Sequence, residues 1–270
     1  MFSVDPKLAP RIEAAVRRVM IIDPTPASAK ILADLMKALG ARDVLFEPEE
    51  RRALDLARDF NPDLVFVERA GPKLDGESFT RRLRRSSFHC RKAPVVMVTA
   101  EATATTIKGA RDSGVHEFLR KPFTAGELLK RVEAVAIKPR DWIEAVQYVG
   151  PDRRRFNSAE FSGEKKRQSD RPKSASEAQA QAMDQAVRIL RAAVVHFEKD
   201  PTQAVRAIQQ QATTLRALAM SQGNSSLAIA VAELERALTG GATSLHALLV
   251  PVKGVIDLFK PNAPPEAKVA

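Results

Sequence analysis

The chain has 270 residues, room for about two domains of ~100–150 residues each, and its hydrophobic content of 44% is ordinary for a globular protein. Its one cysteine, Cys90, excludes an internal disulfide framework and an all-thiolate zinc site. No apolar run nears the ~20 residues that span a bilayer, and the first residues lack a basic-then-apolar leader, so a cytoplasmic location without membrane partners is expected. The net charge of +10 is uneven: residues 150–175 hold 8 basic against 4 acidic side chains, whereas 176–270 hold 9 against 8.

Residues 5–18 place Leu8, Ile12, Ala15 and Val16 at helical spacing, which predicts a short N-terminal helix. A strand is predicted at 19–22, ending at Asp23 and Pro24. The helix that follows runs to Leu39 and stops at Gly40. Residues 44–46 read as a second strand and 48–60 as a helix. Four apolar residues, Leu64, Val65, Phe66 and Val67, then suit a strand buried on both faces, and Glu68 marks its end. A helix is predicted over 77–85, a fourth strand over 93–98 ending at Thr99, and a helix over 103–113. The fifth strand covers 115–119 and ends near Lys121, after which Thr124 caps a helix to about Ile137. Strict alternation with short loops predicts an α/β fold: a five-stranded, doubly wound parallel sheet.

Residues 139–149, with Trp142, Ile143 and Val146, read as a helical extension. Residues 150–175 are polar, punctuated and basic, and read as a flexible linker. From residue 176 the pattern becomes all-α. Met183, Val187, Leu190, Val194 and Phe197 step by four and three, and the same stepping recurs in two further segments. A fourth segment, 245–259, carries Pro251, where an interruption or kink is expected. An antiparallel four-helix bundle over 176–260 is predicted, followed by a disordered tail over 261–270.

Asp23, Glu68, Thr99 and Lys121 thus fall at the ends of the first, third, fourth and fifth strands. In an open α/β sheet, ligands gather at that edge. On these residues, with Asp75 and Gly76 after the third strand and Pro122 and Phe123 after Lys121, residues 19–138 resemble the receiver domain of bacterial two-component response regulators, a flavodoxin-like fold. The resemblance implies a phosphoacceptor at Glu68, where the family has Asp. It implies a Mg²⁺-binding acidic pair at Asp23 and Pro24, whose second acid is missing. Thr99 and Lys121 match the phosphate-binding hydroxyl and lysine, and Phe118 the switch aromatic. Mg²⁺ demands near-ideal octahedral oxygen geometry. Losing one acid and moving another outward by a methylene is expected to leave at most weak Mg²⁺ binding at Asp23 and Glu68, with no metal or other cofactor required. Glu68 can instead reach Lys121 as a permanent ion pair, giving a degenerate, non-catalytic receiver.

The helical half resembles a histidine phosphotransfer domain around Ala212, Leu215, Ala219 and Gly223. The phosphorylated histidine of that family falls on Thr213 and its lysine on Arg216, so this site too is degenerate. The implied role is an adaptor, not an enzyme, with a sensor histidine kinase or another response regulator as partner. Two alternatives stand beside it. One is an active phosphorelay component with unusual residues. The other is binding of nucleic acid or a cyclic dinucleotide through Arg153, Arg154, Arg155, Lys165, Lys166 and Arg167. The run Arg81, Arg82, Arg84 and Arg85 reads as the solvated face of a helix. His89, His116 and His246 show no metal-ligand spacing, and Cys90, between His89 and Arg91, could be exposed but nothing marks it as a nucleophile.

Overall fold

The computed structural model describes residues 5–153, 174–241 and 243–259. The basic residues Arg154, Arg155, Lys165, Lys166 and Arg167, most of the expected linker and the expected tail lie outside the described residues. The chain divides into two compact units. One comprises residues 5–143 with 148–153, the other residues 144–147 with the C-terminal helices.

The first unit opens with α1 (Ala9–Ala15), shorter than predicted because β1 (Arg18–Ile22) takes up the chain at Arg18. There follow α2 (Pro26–Ala38), β2 (Asp43–Phe46), α3 (Glu50–Phe60) and β3 (Leu64–Glu68). A hairpin of two-residue strands, β4 (Ala70–Gly71) and β5 (Leu74–Asp75), then leads into α4 (Gly76–Arg85) and a 3₁₀ turn (His89–Lys92). β6 (Val95–Thr99), α5 (Ala104–Ser113), β7 (Glu117–Arg120) and α6 (Ala125–Ile137) complete the alternation. The main sheet has the order β2-β1-β3-β6-β7 and every pairing is parallel.

Alternate residues of each strand serve opposite faces, as the two-residue strand period requires. Val19, Ile21, Leu64, Phe66, Val96 and Val98 pack with Ile12, Leu32, Met36 and Val132 of α1, α2 and α6. Met20, Ile22, Val65, Val67 and Met97 face the other way, onto Ala53, Ala57, Phe79, Leu83 and Ala110 of α3, α4 and α5. Burying each large apolar side chain contributes ~1.5–3 kcal/mol, so a sheet covered on both faces holds its strand ends in fixed register.

Local chemistry sets the helix ends. The Thr124 hydroxyl accepts from the Glu127 N–H while Glu127 reaches back to the Thr124 N–H, a reciprocal capping box. Asp75 Oδ1 accepts from the N–H groups of Glu77 and Ser78 and fixes the start of α4. At the other end of a helix, Gly114 terminates α5 with φ of 98°, a conformation in which a Cβ is penalised.

The helix expected over 139–149 is not formed. The chain makes two short paired strands instead, β8 (Trp142–Glu144) and β9 (Val149–Pro151). Tertiary contacts override helical propensity here. The Trp142 ring is surrounded by Arg84, Arg91 and Lys92, at 5.4, 5.7 and 5.7 Å from its centroid, and the buried Tyr148 hydroxyl donates to the Pro151 carbonyl at 2.6 Å.

The second unit holds α7 (Ala175–Val195), α8 (Pro201–Gln222), α9 (Ser225–Thr239) and α10 (Leu245–Asp257). Ser174, Asp200, Asn224 and Ser244 each cap the helix that follows. Leu190, Phe197, Ile208, Leu215, Val231, Leu234, Leu248 and Val252 form its shared core. α10 continues through Pro251 without the expected interruption. No helix among the described residues is long and apolar enough to cross a membrane.

Candidate functional site

The parallel register brings the predicted polar residues to one edge of the sheet. Ile22 pairs with Val67, Glu68 with Val98, and Thr99 with Arg120. Asp23, Glu68, Thr99 and Lys121 therefore stand at the ends of the neighbouring strands β1, β3, β6 and β7. Asp23 and Thr99 are buried.

Lys121 joins the two acids. Its ammonium donates to Asp23 Oδ2 at 2.8 Å and to Glu68 Oε2 at 2.5 Å. The remaining carboxylate oxygens are also occupied: Asp23 Oδ1 accepts from the Thr25 N–H at 2.8 Å, and Glu68 Oε1 from the Arg69 N–H at 3.0 Å. Burial lowers the pKa of the Lys121 ammonium, but the hydrogen bonds and charges of Asp23 and Glu68 outweigh it and hold that pKa above the ordinary lysine value. Thr99 Oγ1 accepts from the Glu101 N–H at 3.2 Å, and Arg69 pairs with Glu101 beside it.

Pro24 occupies the place next to Asp23 and closes on the hairpin. A Cβ built at Gly71 would lie 2.4 Å from Pro24 Cγ. Glycine at position 71 is thus the complement of proline at position 24. A Cβ at Gly76 would likewise lie 2.4 Å from the Glu68 carbonyl oxygen, so the turn after β3 must approach the strand end without a side chain.

The family model of the response regulator receiver domain matches residues 19–133. This segment is a receiver domain. The chain is 30% identical over 118 residues to the DNA-binding response regulator MtrA of Mycolicibacterium smegmatis, covering 44% of this chain and 50% of that one. It is 33% identical over 118 residues to the DNA-binding dual master transcriptional regulator RpaA of Synechocystis, covering 44% and 48%. The chain spans about half the length of these relatives. Among solved structures, the chemotaxis protein CheY4 of Vibrio cholerae aligns with a TM-score of 0.42 and 22% identity over 44% of this chain and 98% of that one.

Mg²⁺ is the ion that a receiver pocket implies, and the donor set does not fit it. Both acids are spent on an ammonium, the neighbouring position is proline, and the described residues contain no cluster of three His, Cys, Asp or Glu side chains placed to hold a metal. An octahedral cation would have to displace Lys121 from both carboxylates.

The other predicted residues are more scattered. Phe118 is half-buried on β7 against the face that carries Met20 and Val65. Thr213 is exposed and donates to the Gln209 carbonyl one turn back, and the exposed Arg216 pairs with Glu235 at 3.3 Å. Arg153, expected to be available to an anion, is paired with Asp112 at 3.0 Å and stacked on Tyr148 at 4.3 Å.

Two expectations are corrected. Arg84 is not on a solvated face: it is fully buried, and donates to the carbonyls of Gly114, Arg91 and Ala93 and to His116 Nδ1. Desolvation lowers its pKa to about 9. Cys90 is buried rather than exposed and donates to the Ala57 carbonyl, with burial raising its pKa. The Glu68–Lys121 pair is the one expected from the sequence, but the second arm of the clasp, from Lys121 to Asp23, was not, since strand-end positions name the residues but not which oxygen each ammonium proton takes. The polar cluster around His116 and Trp142 was not expected either, since no spacing signal exists for it.

Proposed function

We propose that this chain is a non-catalytic regulatory adaptor of two-component signalling, built on a receiver domain that no longer accepts phosphate. The observation that carries the reading is the Lys121 clasp on Asp23 and Glu68. Glu68 supplies one fixed negative charge where phosphorylation would add nearly two, and Lys121 is already engaged. In-line phosphoryl transfer tolerates little misplacement, a 1 Å error costing ~10²-fold, and Glu68 carries its carboxylate one methylene beyond the position an Asp would give it. On this reading the pocket has one stable state, whereas a switch requires two states and a ligand that separates them.

The helical unit is read as an antiparallel four-helix bundle of the phosphotransfer type, with Thr213 where the nucleophilic imidazole would stand. The packing of α7 with α8, α8 with α9, α9 with α10 and α10 with α7 supports that arrangement. Its exposed Thr213 and Arg216 lie three residues apart, on one helix face. The partners are then a sensor histidine kinase or a response regulator, bound without phosphoryl transfer.

Incubation with a phosphorylated sensor kinase, and separately with acetyl phosphate and Mg²⁺, tests the reading. No acid- or base-labile phosphate is expected on the wild-type chain. Stoichiometric labelling would overturn it and favour an active phosphorelay component. Nucleic-acid binding, suggested by the names of the relatives and by the net charge of +10, has its own test. Retention on duplex DNA that falls steeply with salt and vanishes when Arg153, Arg154 and Arg155 are neutralised would support that alternative.

A further inference from the structure

A second concavity, lined by both apolar and charged side chains, lies at the opposite edge of the sheet, by the N-terminal ends of β6 and β7. Its volume is about 250 Å³, and Lys92, His116, Glu117, Lys138, Arg140 and Trp142 are in its lining. The charges around it do not balance. Glu117 is the one carboxylate of the lining, and it is already shared by Arg140 at 3.3 Å and Arg131 at 3.5 Å. Lys92 and Lys138 are exposed and have no carboxylate partner among the described residues. Lys92 and the guanidinium groups of Arg84 and Arg91 crowd the Trp142 ring as well.

His116 supplies a directed donor. It is buried, and its Nδ1 receives both the Val95 N–H at 3.3 Å and Arg84 Nη2 at 3.1 Å. Two donors on one nitrogen require the lone pair there, which puts the proton on Nε2. Desolvation, with the charges of Arg84 and Arg140, holds the imidazole well below its ordinary pKa, so the ring is neutral. Among the described residues Nε2 has no partner.

We propose that this cavity binds a small organic phosphate. The dianion would neutralise Lys92 and Lys138, accept from His116 Nε2–H and lay its carbon skeleton against Trp142. Two uncompensated ammonium groups call for two negative charges, which a monocarboxylate does not bring. The cavity falls just below the ~300–1,000 Å³ usual for ligand pockets, which suits a phosphate with a few carbons and excludes a dinucleotide. The site is separate from the strand-end pocket and stands whether or not Glu68 accepts phosphate.

Trp142 is the sole tryptophan of the chain, so its fluorescence reports on this cavity. The full chain is titrated with glycerol 3-phosphate at constant ionic strength, with acetate and sodium chloride as comparators. A saturable change is expected with the phosphate and not with either comparator. The double variant Lys92→Ala/Lys138→Ala should weaken binding at least tenfold while keeping the wild-type circular dichroism, since both side chains are exposed. An unsaturable response, an equal response to acetate, or unchanged affinity in the double variant would overturn the proposal. Tighter binding of a phosphoserine peptide than of glycerol phosphate would overturn the assignment to a small ligand.

Discussion

Replacing Lys121 by methionine removes the one cation between two carboxylates while keeping the length of the side chain. Asp23 and Glu68 have side-chain exposures of only 2% and 12%, and Lys121 of 21%. At an effective dielectric constant of ~20, each contact is worth roughly 6 kcal/mol before desolvation, and desolvation takes back most of that. Removing one partner of a buried pair costs ~3–5 kcal/mol, and the residual exposure of Lys121 places the expected loss at the lower end, ~3 kcal/mol at pH 7. The loss should depend on pH. In the wild type, the folded pKa of Lys121 is raised above its unfolded value of ~10.4. Its contribution is therefore complete below that pH and is lost as pH rises through the folded value. Urea unfolding followed through Trp142, which lies in the same unit as Lys121, measures both proteins at pH 7 and in rising alkali. A loss below ~0.5 kcal/mol at pH 7, or one that does not shrink in alkali, would refute the clasp as a stabilising element.

Gly71→Ala places a methyl against the Pro24 ring and should destabilise by ~1–3 kcal/mol, and Pro24→Ala should relieve most of that cost. A double-mutant cycle in urea reads the coupling, and additive effects would show that the two residues do not touch. Tyr148, the sole tyrosine, has its pKa pushed up to about 12, chiefly by burial. Alkaline difference absorbance should find its midpoint near that value, and one near 10 would refute its burial. Because its folded pKa is raised, Tyr148 contributes stability below pH ~10 that is lost as pH rises through about 12, and Tyr148→Phe should reduce the loss in that window. Thr124→Ala removes the hydroxyl of the α6 capping box and should lower the thermal midpoint, at a cost of ~1 kcal/mol.

The sheet was legible because its strands are short, largely apolar runs bounded by breakers, and four of the five lead into a polar residue that the topology carries to one edge. Asp23, Glu68, Thr99 and Lys121 could be named from that rule alone. The small hairpin at Ala70–Asp75 could not, since two-residue strands carry no period. The segment 139–149 misled because Trp142, Ile143 and Val146 fit a helical stripe, while the cations that hold Trp142 lie about 50 residues upstream. Arg84 misled in the same way. A run of arginines reads as solvent-facing, and only the fold shows that one of them meets three carbonyls and a ring nitrogen.

That buried guanidinium has a kinetic consequence. Its acceptors come from the end of α5, the 3₁₀ turn and the loop before β6, and the start of β7, all of which must be assembled before its charge can leave water. A contact that needs all of these in place is expected to form after the barrier to folding, with a φ-value near zero. Arg84→Met should therefore leave the refolding rate of the first unit nearly unchanged and speed its unfolding, making Arg84 a brake on the way out of the native state rather than a guide on the way in.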